Sequence, residues 1–157
     1  MPLPDPAPVD VPQPIFDLIA SLKQQGFGVS KQLYAADAFG NWQLILEHGP
    51  LRIEVLRDRS LWDLAVGGVG LEDEVTHPVL GKRRREMWIP IGTWQECLGG
   101  REVPVGEIPI PIECRLIEAL WPRMEEALSL ERIAETRECL VARGKERYLR
   151  GNEARRR

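Results

Sequence analysis

The chain offers few side chains for general base catalysis, since it contains only two histidines, His48 and His77. His48 belongs to the sequence His48-Gly49-Pro50, which favours a tight turn. His77 precedes Pro78, and no flanking Ser, Cys or Asp pattern supports a catalytic triad. We therefore predict that the protein is not an enzyme. An enzyme that uses His77 as its base is the weakest alternative.

The three cysteines, Cys97, Cys114 and Cys139, are odd in number and far apart. Because no CxxC or HxxxH spacing occurs, the sequence predicts neither a metal site nor a disulfide framework. Free thiols are typical of a reducing compartment, so we predict a cytoplasmic protein. The glycine-rich segment 67–70 is followed by acidic residues instead of a helix, which argues against a phosphate-binding loop. We predict no cofactor.

Two charged clusters lie close together in the chain, Glu72-Asp73-Glu74 and Lys82-Arg83-Arg84-Arg85. The acidic cluster lacks EF-hand spacing, so we interpret it as a solvated loop or a docking surface for a partner. The basic cluster either balances it or contacts phosphate. Residues 1–130 carry 12 basic and 19 acidic side chains, whereas residues 131–157 carry 9 basic and 5 acidic. Such an acidic body suits a basic protein partner better than a nucleic acid.

The positioning elements begin with a helix from Pro14 to Gly26, since Ile15, Leu18 and Leu22 recur at helical spacing. Residues 41–66 then alternate between apolar and polar side chains, which predicts strands joined by turns at 47–50 and 57–60. The predicted apolar rows are Trp42–Val55–Trp62, Leu44–Ile53–Leu64 and Leu46–Leu51–Val66, with Gln43, Glu47, Arg52, Glu54 and Asp63 on the opposite, charged face.

A strand over residues 29–36 extends this sheet, with Ala35 beside Trp42 and Leu33 beside Leu44. A long loop, Val69–Glu86, follows the sheet. The pattern then predicts a short helix with a capping box from Thr93, a helix from Glu113 that Pro122 kinks or splits, and a final helix capped by Ser129.

The predicted fold class is α+β: an N-terminal helix, a four-stranded antiparallel meander, and C-terminal helices packed on one sheet face. We predict that residues 1–14 form a disordered proline-rich leader, residues 15–150 a single α+β domain, and residues 151–157 a frayed basic tail. No apolar run approaches the roughly 20 residues of a membrane span, so we predict no membrane association.

A family resemblance is based on three short sequence motifs: Phe39-Gly40-Asn41-Trp42, Arg57-Asp58-Arg59-Ser60, and the segment from Trp88 to Leu98-Gly99. Together with the element order, they resemble small cytosolic immunity proteins of bacterial polymorphic-toxin systems, over roughly residues 15–100. The resemblance implies a non-enzymatic binding protein that neutralises a cognate toxin by direct association, and a basic nuclease is one toxin of this kind.

We place the predicted partner contact on acidic residues, because an acidic inhibitor can occlude the basic cleft of a nuclease. The candidates are Glu72, Asp73 and Glu74, with Glu54, Asp63 and Trp88 as weaker ones. The alternative function is a nucleic-acid-associated regulatory protein that uses Lys82–Arg85 and the basic tail.

Overall fold

The computed structural model describes residues 3–157 and confirms the α+β class, with one helix before a four-stranded antiparallel sheet and three helices after it. A separate two-stranded hairpin interrupts the order. The elements are α1 (Gln13–Gln24), β1 (Gly28–Ala35), β2 (Asn41–His48), β3 (Leu51–Asp58), β4 (Leu61–Gly68), β5 (Glu72–His77), β6 (Gly81–Glu86), α2 (Ile91–Gly99), α3 (Ile110–Ala127) and α4 (Ile133–Arg156).

The core lies between one face of the β1-β2-β3-β4 sheet and the helices. Helix α1 packs against α3, and its predicted apolar residues are all buried. Trp94 of α2 is fully buried and donates its indole N–H to the Val66 carbonyl of β4 at 3.2 Å. This bond fixes α2 on the sheet, since a buried indole needs a partner.

The predicted faces of β2, β3 and β4 are correct, but their predicted register is wrong by two residues. Leu44 lies opposite Val55, which lies opposite Leu64. The turns are tighter than expected, with only Gly49-Pro50 and Arg59-Ser60 between paired residues. Because side chains alternate with a period of two, an offset of two residues preserves which face each one occupies.

The predicted pairing of β1 is wrong by one residue, which inverts its faces. Tyr34 lies opposite Trp42 and Gln32 opposite Leu44, so Leu33 points away from the core and is 56% exposed. The five-residue turn between Ala35 and Asn41 causes the slip, and a separate register shift between Val29 and Lys31 lies nearer the start of the strand. An odd offset, unlike an even one, moves each side chain to the other face.

Three helix starts differ from the prediction. Helix α2 begins at Ile91 without a side-chain cap, so the capping box at Thr93 does not form. Helix α3 begins at Ile110 and continues through Pro122, and α4 begins at Ile133. Pro111 in the first turn of α3 has no N–H that would need a helical acceptor and has a φ suited to a helix, which is compatible with the earlier start.

Residues 3–12 have no regular structure, and several of them contact the sheet. Gln32 donates to the carbonyls of Pro4 and Pro6, while Arg57 forms an ion pair with Asp10 at 3.0 Å. Ala7 is buried. The disorder predicted for residues 1–14 and the fraying predicted for residues 151–157 stay predictions.

The prediction of three free thiols is wrong, because a disulfide joins Cys97 of α2 to Cys139 of α4 across a Cα–Cα distance of 6.0 Å. The sequence separation of 42 residues does not indicate that these two helices pack together. Cys114 is a buried free thiol. Within residues 3–157, no helix combines the length and the apolar character needed to span a membrane.

Candidate protein interface

The segment predicted as a long acidic loop is a β-hairpin that pairs the acidic cluster with the basic one. We call residues 72–86 the charged hairpin. Glu72, Asp73 and Glu74 lie on β5, and their carboxylates form ion pairs with the basic side chains of β6. The N–O distances are 3.3 Å for Glu74–Lys82, 3.5 Å for Glu72–Arg84 and 3.6 Å for Asp73–Arg85. With four acidic and four basic side chains, the hairpin has no net charge.

The charged hairpin is anchored to the body at its base, and its tip extends away from the body. Met87 donates its N–H to the carbonyl of buried Leu71 at 3.0 Å, and Glu86 forms an ion pair with Arg52 of β3. Arg137 of α4 donates to the Glu72 carbonyl at 3.1 Å. These bonds hold the first residue of β5 and the last residue of β6, so the hairpin has a defined direction relative to the body.

The tip of the charged hairpin is apolar and open to solvent. Val79 is 84% exposed and Leu80 is 56% exposed. His77 Nδ1 accepts the backbone N–H groups of both residues at 3.1 Å. His77 therefore stabilises the turn. Its Nδ1, the ring nitrogen that would accept a proton in general base catalysis, is already occupied by these two hydrogen bonds.

The outer face of the sheet does not present Glu54 and Trp88 as freely as predicted. Glu54 is only 6% exposed; burial raises its pKa, while a 2.5 Å hydrogen bond from Gln43 lowers it. The Trp88 ring covers Gly67, where an added Cβ would lie 3.1 Å from it. The Arg52 guanidinium lies 5.8 Å from the same ring. Both residues thus stabilise this face more than they offer it to a partner.

Asp63, the remaining candidate, lines a cleft between β4 and the connector that precedes α3. The cleft measures about 620 Å³, and Glu113 of α3 faces into it with Asp63. We call this the acidic cleft; its other lining residues are Leu61, Trp62, Pro90, Gly92, the connector residues Gly106 to Ile110, and Arg147. It is the site that brings a predicted carboxylate together with one that the sequence did not single out.

In the acidic cleft the charge of Asp63 disfavours the charged form of Glu113. Burial raises the pKa of Glu113 to about 7, and the nearby charge of Asp63 adds to this rise. Burial also raises the pKa of Asp63, against a backbone hydrogen bond from Leu64. Within residues 3–157, neither carboxylate has a Lys or Arg nitrogen within ion-pair distance. A cation entering the cleft would relieve this repulsion.

Arg147 lines the acidic cleft, but its guanidinium is engaged elsewhere. It donates to the Val103 carbonyl at 2.7 Å and lies 3.7 Å from Glu96. Glu96 is fully buried and also accepts a 2.5 Å hydrogen bond from Arg150. Burial raises the pKa of Glu96, but the hydrogen bonds from Val103 and Arg150 outweigh it, so the net shift is downward.

His48 sits at the end of β2 in a box of aromatic rings. Its Nδ1 lies 2.5 Å from Glu125 of α3, and the rings of Phe27 and Trp121 lie 5.0 and 5.1 Å from it. Trp121 in turn donates its indole N–H to Gln25 at 2.9 Å. The His48–Glu125 pair joins β2 to α3, so His48 has a structural role in addition to its predicted place in the turn.

In the described part of the chain, no three His, Cys, Asp or Glu side chains lie close enough to hold a metal ion. Comparison of the chain with models of protein families, with curated proteins and with solved structures gives no match. The surfaces described above are therefore the features of the molecule that point to a function.

Proposed function

We propose that this chain is a non-enzymatic binding protein that neutralises a cognate bacterial toxin by direct association, as its resemblance to immunity proteins implies. The observation that carries the proposal is the charged hairpin, which projects from the sheet and exposes Val79 and Leu80 at its tip. A cytoplasmic location is part of this proposal.

The geometry of the hairpin favours a protein partner over a small molecule. Neighbouring aliphatic side chains on a projecting tip lose solvent contact only when a complementary pocket receives them. The flanking ion pairs form a polar rim with no net charge, which imposes orientation without strong attraction to either sign. Such an apolar centre with a polar rim is the usual anatomy of a protein interface.

The acidic cleft supplies a second contact and favours a basic partner. Asp63 and Glu113 are available for a Lys or Arg side chain, and Trp62 provides an aromatic wall. A nuclease with a basic substrate cleft would meet this requirement. The proposal thus moves the electrostatic contact from Glu72, Asp73 and Glu74, whose charges are balanced within the hairpin, to the acidic cleft.

The test is co-expression with the protein encoded by the neighbouring gene, followed by affinity measurement on the purified pair. The double variant Val79→Glu/Leu80→Glu should weaken binding by about tenfold to a hundredfold, as expected for a desolvated centre. Leu130→Glu is the matched control, because Leu130 is 97% exposed and lies outside the hairpin. A neighbour that is harmless without this chain would contradict the proposal.

The electrostatic contact has its own test. Asp63→Asn/Glu113→Gln should slow association several-fold at low salt, with little effect at high salt, since screening removes long-range attraction. Glu131→Gln serves as the control on an exposed carboxylate. Equal association rates for both variants at low salt would remove the cleft from the interface.

The alternative, a nucleic-acid-associated regulator, has weaker support. Lys82, Arg84 and Arg85 are paired with carboxylates, which compete with phosphate for the same donors. This alternative predicts salt-sensitive binding to DNA or RNA that weakens when the four basic residues are neutralised. No mobility shift at low salt would eliminate it.

A further inference from the structure

The second half of α4 has little apolar surface to hold it on the body. In this 24-residue helix only Thr136 and Leu140 are buried, and both lie in its first two turns. Residues 141–156 are largely charged. A helix without an apolar stripe depends on specific links for its position.

Those specific links run to α2. The Cys97–Cys139 disulfide joins the helices covalently, and the buried carboxylate of Glu96, the residue immediately before Cys97, forms ion pairs with Arg147 and Arg150. Arg147 is also the basic residue among those that line the acidic cleft. The position of α4 therefore determines whether a guanidinium stands beside Asp63 and Glu113.

We propose that the Cys97–Cys139 disulfide is a thiol-sensitive clamp: its reduction loosens residues 141–156, removes the positive charge of Arg147 from the wall of the acidic cleft and so makes the cleft bind a cationic ligand more tightly. This regulation rests on the proposed function for its biological meaning, but the clamp and its effect on the cleft do not require the partner. In a reducing compartment such a bond forms reversibly and acts as a sensor.

A low-molecular-weight dithiol supplies both electrons. One of its thiolates attacks a sulfur of the disulfide and forms a mixed disulfide, and the freed cysteine takes up a proton. The second thiol of the reductant then displaces the other cysteine, which is also protonated, and the reductant leaves as a cyclic disulfide. Cys114 does not compete, because burial raises the pKa of its thiol to about 12.

Release is confined to the end of α4 because the other elements have independent anchors. Helices α1 and α3 share the apolar core with the sheet, and Thr136 hydroxyl donates to the Ala127 carbonyl at 2.7 Å. After reduction, residues 141–156 keep only polar links, of which the Glu96 pairs are the strongest. Loss of the cross-link should then favour local opening over global unfolding.

Hydrogen exchange on the full-length chain, with and without dithiothreitol, tests the clamp. Reduction should speed amide exchange in residues 141–156 at least about tenfold, consistent with the entropy that a cross-link removes. Exchange in α1 and β3 should change by less than about twofold, since these elements open only with the core. Thiol counting by mass spectrometry verifies the redox state. Unchanged exchange in residues 141–156 would overturn the clamp.

Two variants and a peptide probe complete the test. Cys97→Ser/Cys139→Ser should behave as the reduced protein under both conditions, while Cys114→Ser should keep the redox response. A lysine tetrapeptide should bind the reduced protein roughly threefold or more tightly at low ionic strength, and Asp63→Asn/Glu113→Gln should abolish that gain. Equal peptide affinity in both redox states would overturn the link to the cleft. A neighbouring protein that fails to bind any form would contradict the proposed function alone.

Discussion

Three glutamates lie in different surroundings, Glu54 and Glu96 buried and Glu113 half-buried, and these surroundings set the charge of each. Glu96 is held ionised by Arg147 and Arg150, so its pKa is lowered despite burial. Glu54 has only a neutral amide donor, and burial raises its pKa. Glu113 faces Asp63, and its pKa rises to about 7 through burial first and the neighbouring charge second. Side-chain type alone does not predict these outcomes.

Glu113→Gln should change the pH dependence of stability. The folded pKa of about 7 lies above the ordinary glutamate pKa of 4.5, so the folded protein binds the proton more tightly. The wild type should therefore lose stability as pH rises through this window, and the variant should lose less. At pH 8 we expect the variant to be more stable by roughly 1–2 kcal/mol, after allowance for solvent screening. Urea unfolding at pH 4.5 and pH 8 measures the difference. The exposed Glu118→Gln is the control, and a wild-type profile that rises towards pH 8 in this window would contradict the expectation.

Gly68→Ala should destabilise the fold by steric overlap. An added Cβ would lie 2.7 Å from the Pro50 carbonyl oxygen and would collide with the Leu128 side chain. Overpacking of this kind costs about 1–3 kcal/mol. Gly28→Ala is the matched control, because nothing lies within 4 Å of its added Cβ. Equal thermal unfolding midpoints for the two variants would refute this account of the contact.

At the scale of elements, the sequence predicted the faces correctly for strands that bury one face and did not do so for strands that bury no residue: the faces of β1 came out inverted, and β5 and β6 were not predicted. The alternation in β2, β3 and β4 identified their core face because burial selects apolar residues at every second position. Strands β5 and β6 bury no residue, so they carry no such pattern. Their cross-strand charge pairs become recognisable only after the hairpin register is known.

The residues of the candidate site were likewise predictable only where the alternation of a strand pointed to them. Asp63 was identified from its position on the charged face, and the structure places it at the acidic cleft. Glu113 was missed because the extended connector, not any local pattern, brings α3 beside β4. The disulfide was missed for the same reason, since Cys97 and Cys139 meet only through the packing of α2 on α4. Long-range contacts of this kind leave no periodic signal in one sequence.

Removal of the charged hairpin should leave the rest of the fold intact. Replacing residues 73–85 by a short glycine–serine linker deletes ion pairs at the surface and keeps buried Leu71. Exposed pairs each contribute about 0–1 kcal/mol, so the thermal midpoint should fall by only a few degrees. Circular dichroism melting measures this effect. A loss of cooperative unfolding would show instead that the hairpin belongs to the folding core.

At the scale of the whole molecule, the basic C-terminal part docks on the acidic body that precedes it. Arg147 and Arg150 reach Glu96, and Arg150 also lies 3.3 Å from Glu102 of the connector. Arg137 donates to the Glu72 carbonyl at the base of the charged hairpin. Part of the charge asymmetry of the sequence is thus neutralised within the chain, whereas Asp63 and Glu113 of the acidic cleft form no ion pair among the described residues.

Glu96→Gln should uncouple this docking, because Glu96 joins α2, α4 and the connector through Arg147, Arg150 and the Val103 N–H. Removing one member of a buried ionic network leaves its partners uncompensated, and we expect a loss of about 3 kcal/mol near neutral pH. Since the folded pKa of Glu96 is lowered, its contribution to stability is present above the ordinary glutamate pKa of 4.5 and is lost as pH falls through the folded pKa. The stability gap between wild type and variant should therefore be largest at pH 7 and shrink below pH 4.5. Urea unfolding across this range measures the gap, with Glu102→Gln as the control at an exposed carboxylate. A gap that stays constant with pH would assign the effect to packing and not to the charge of Glu96.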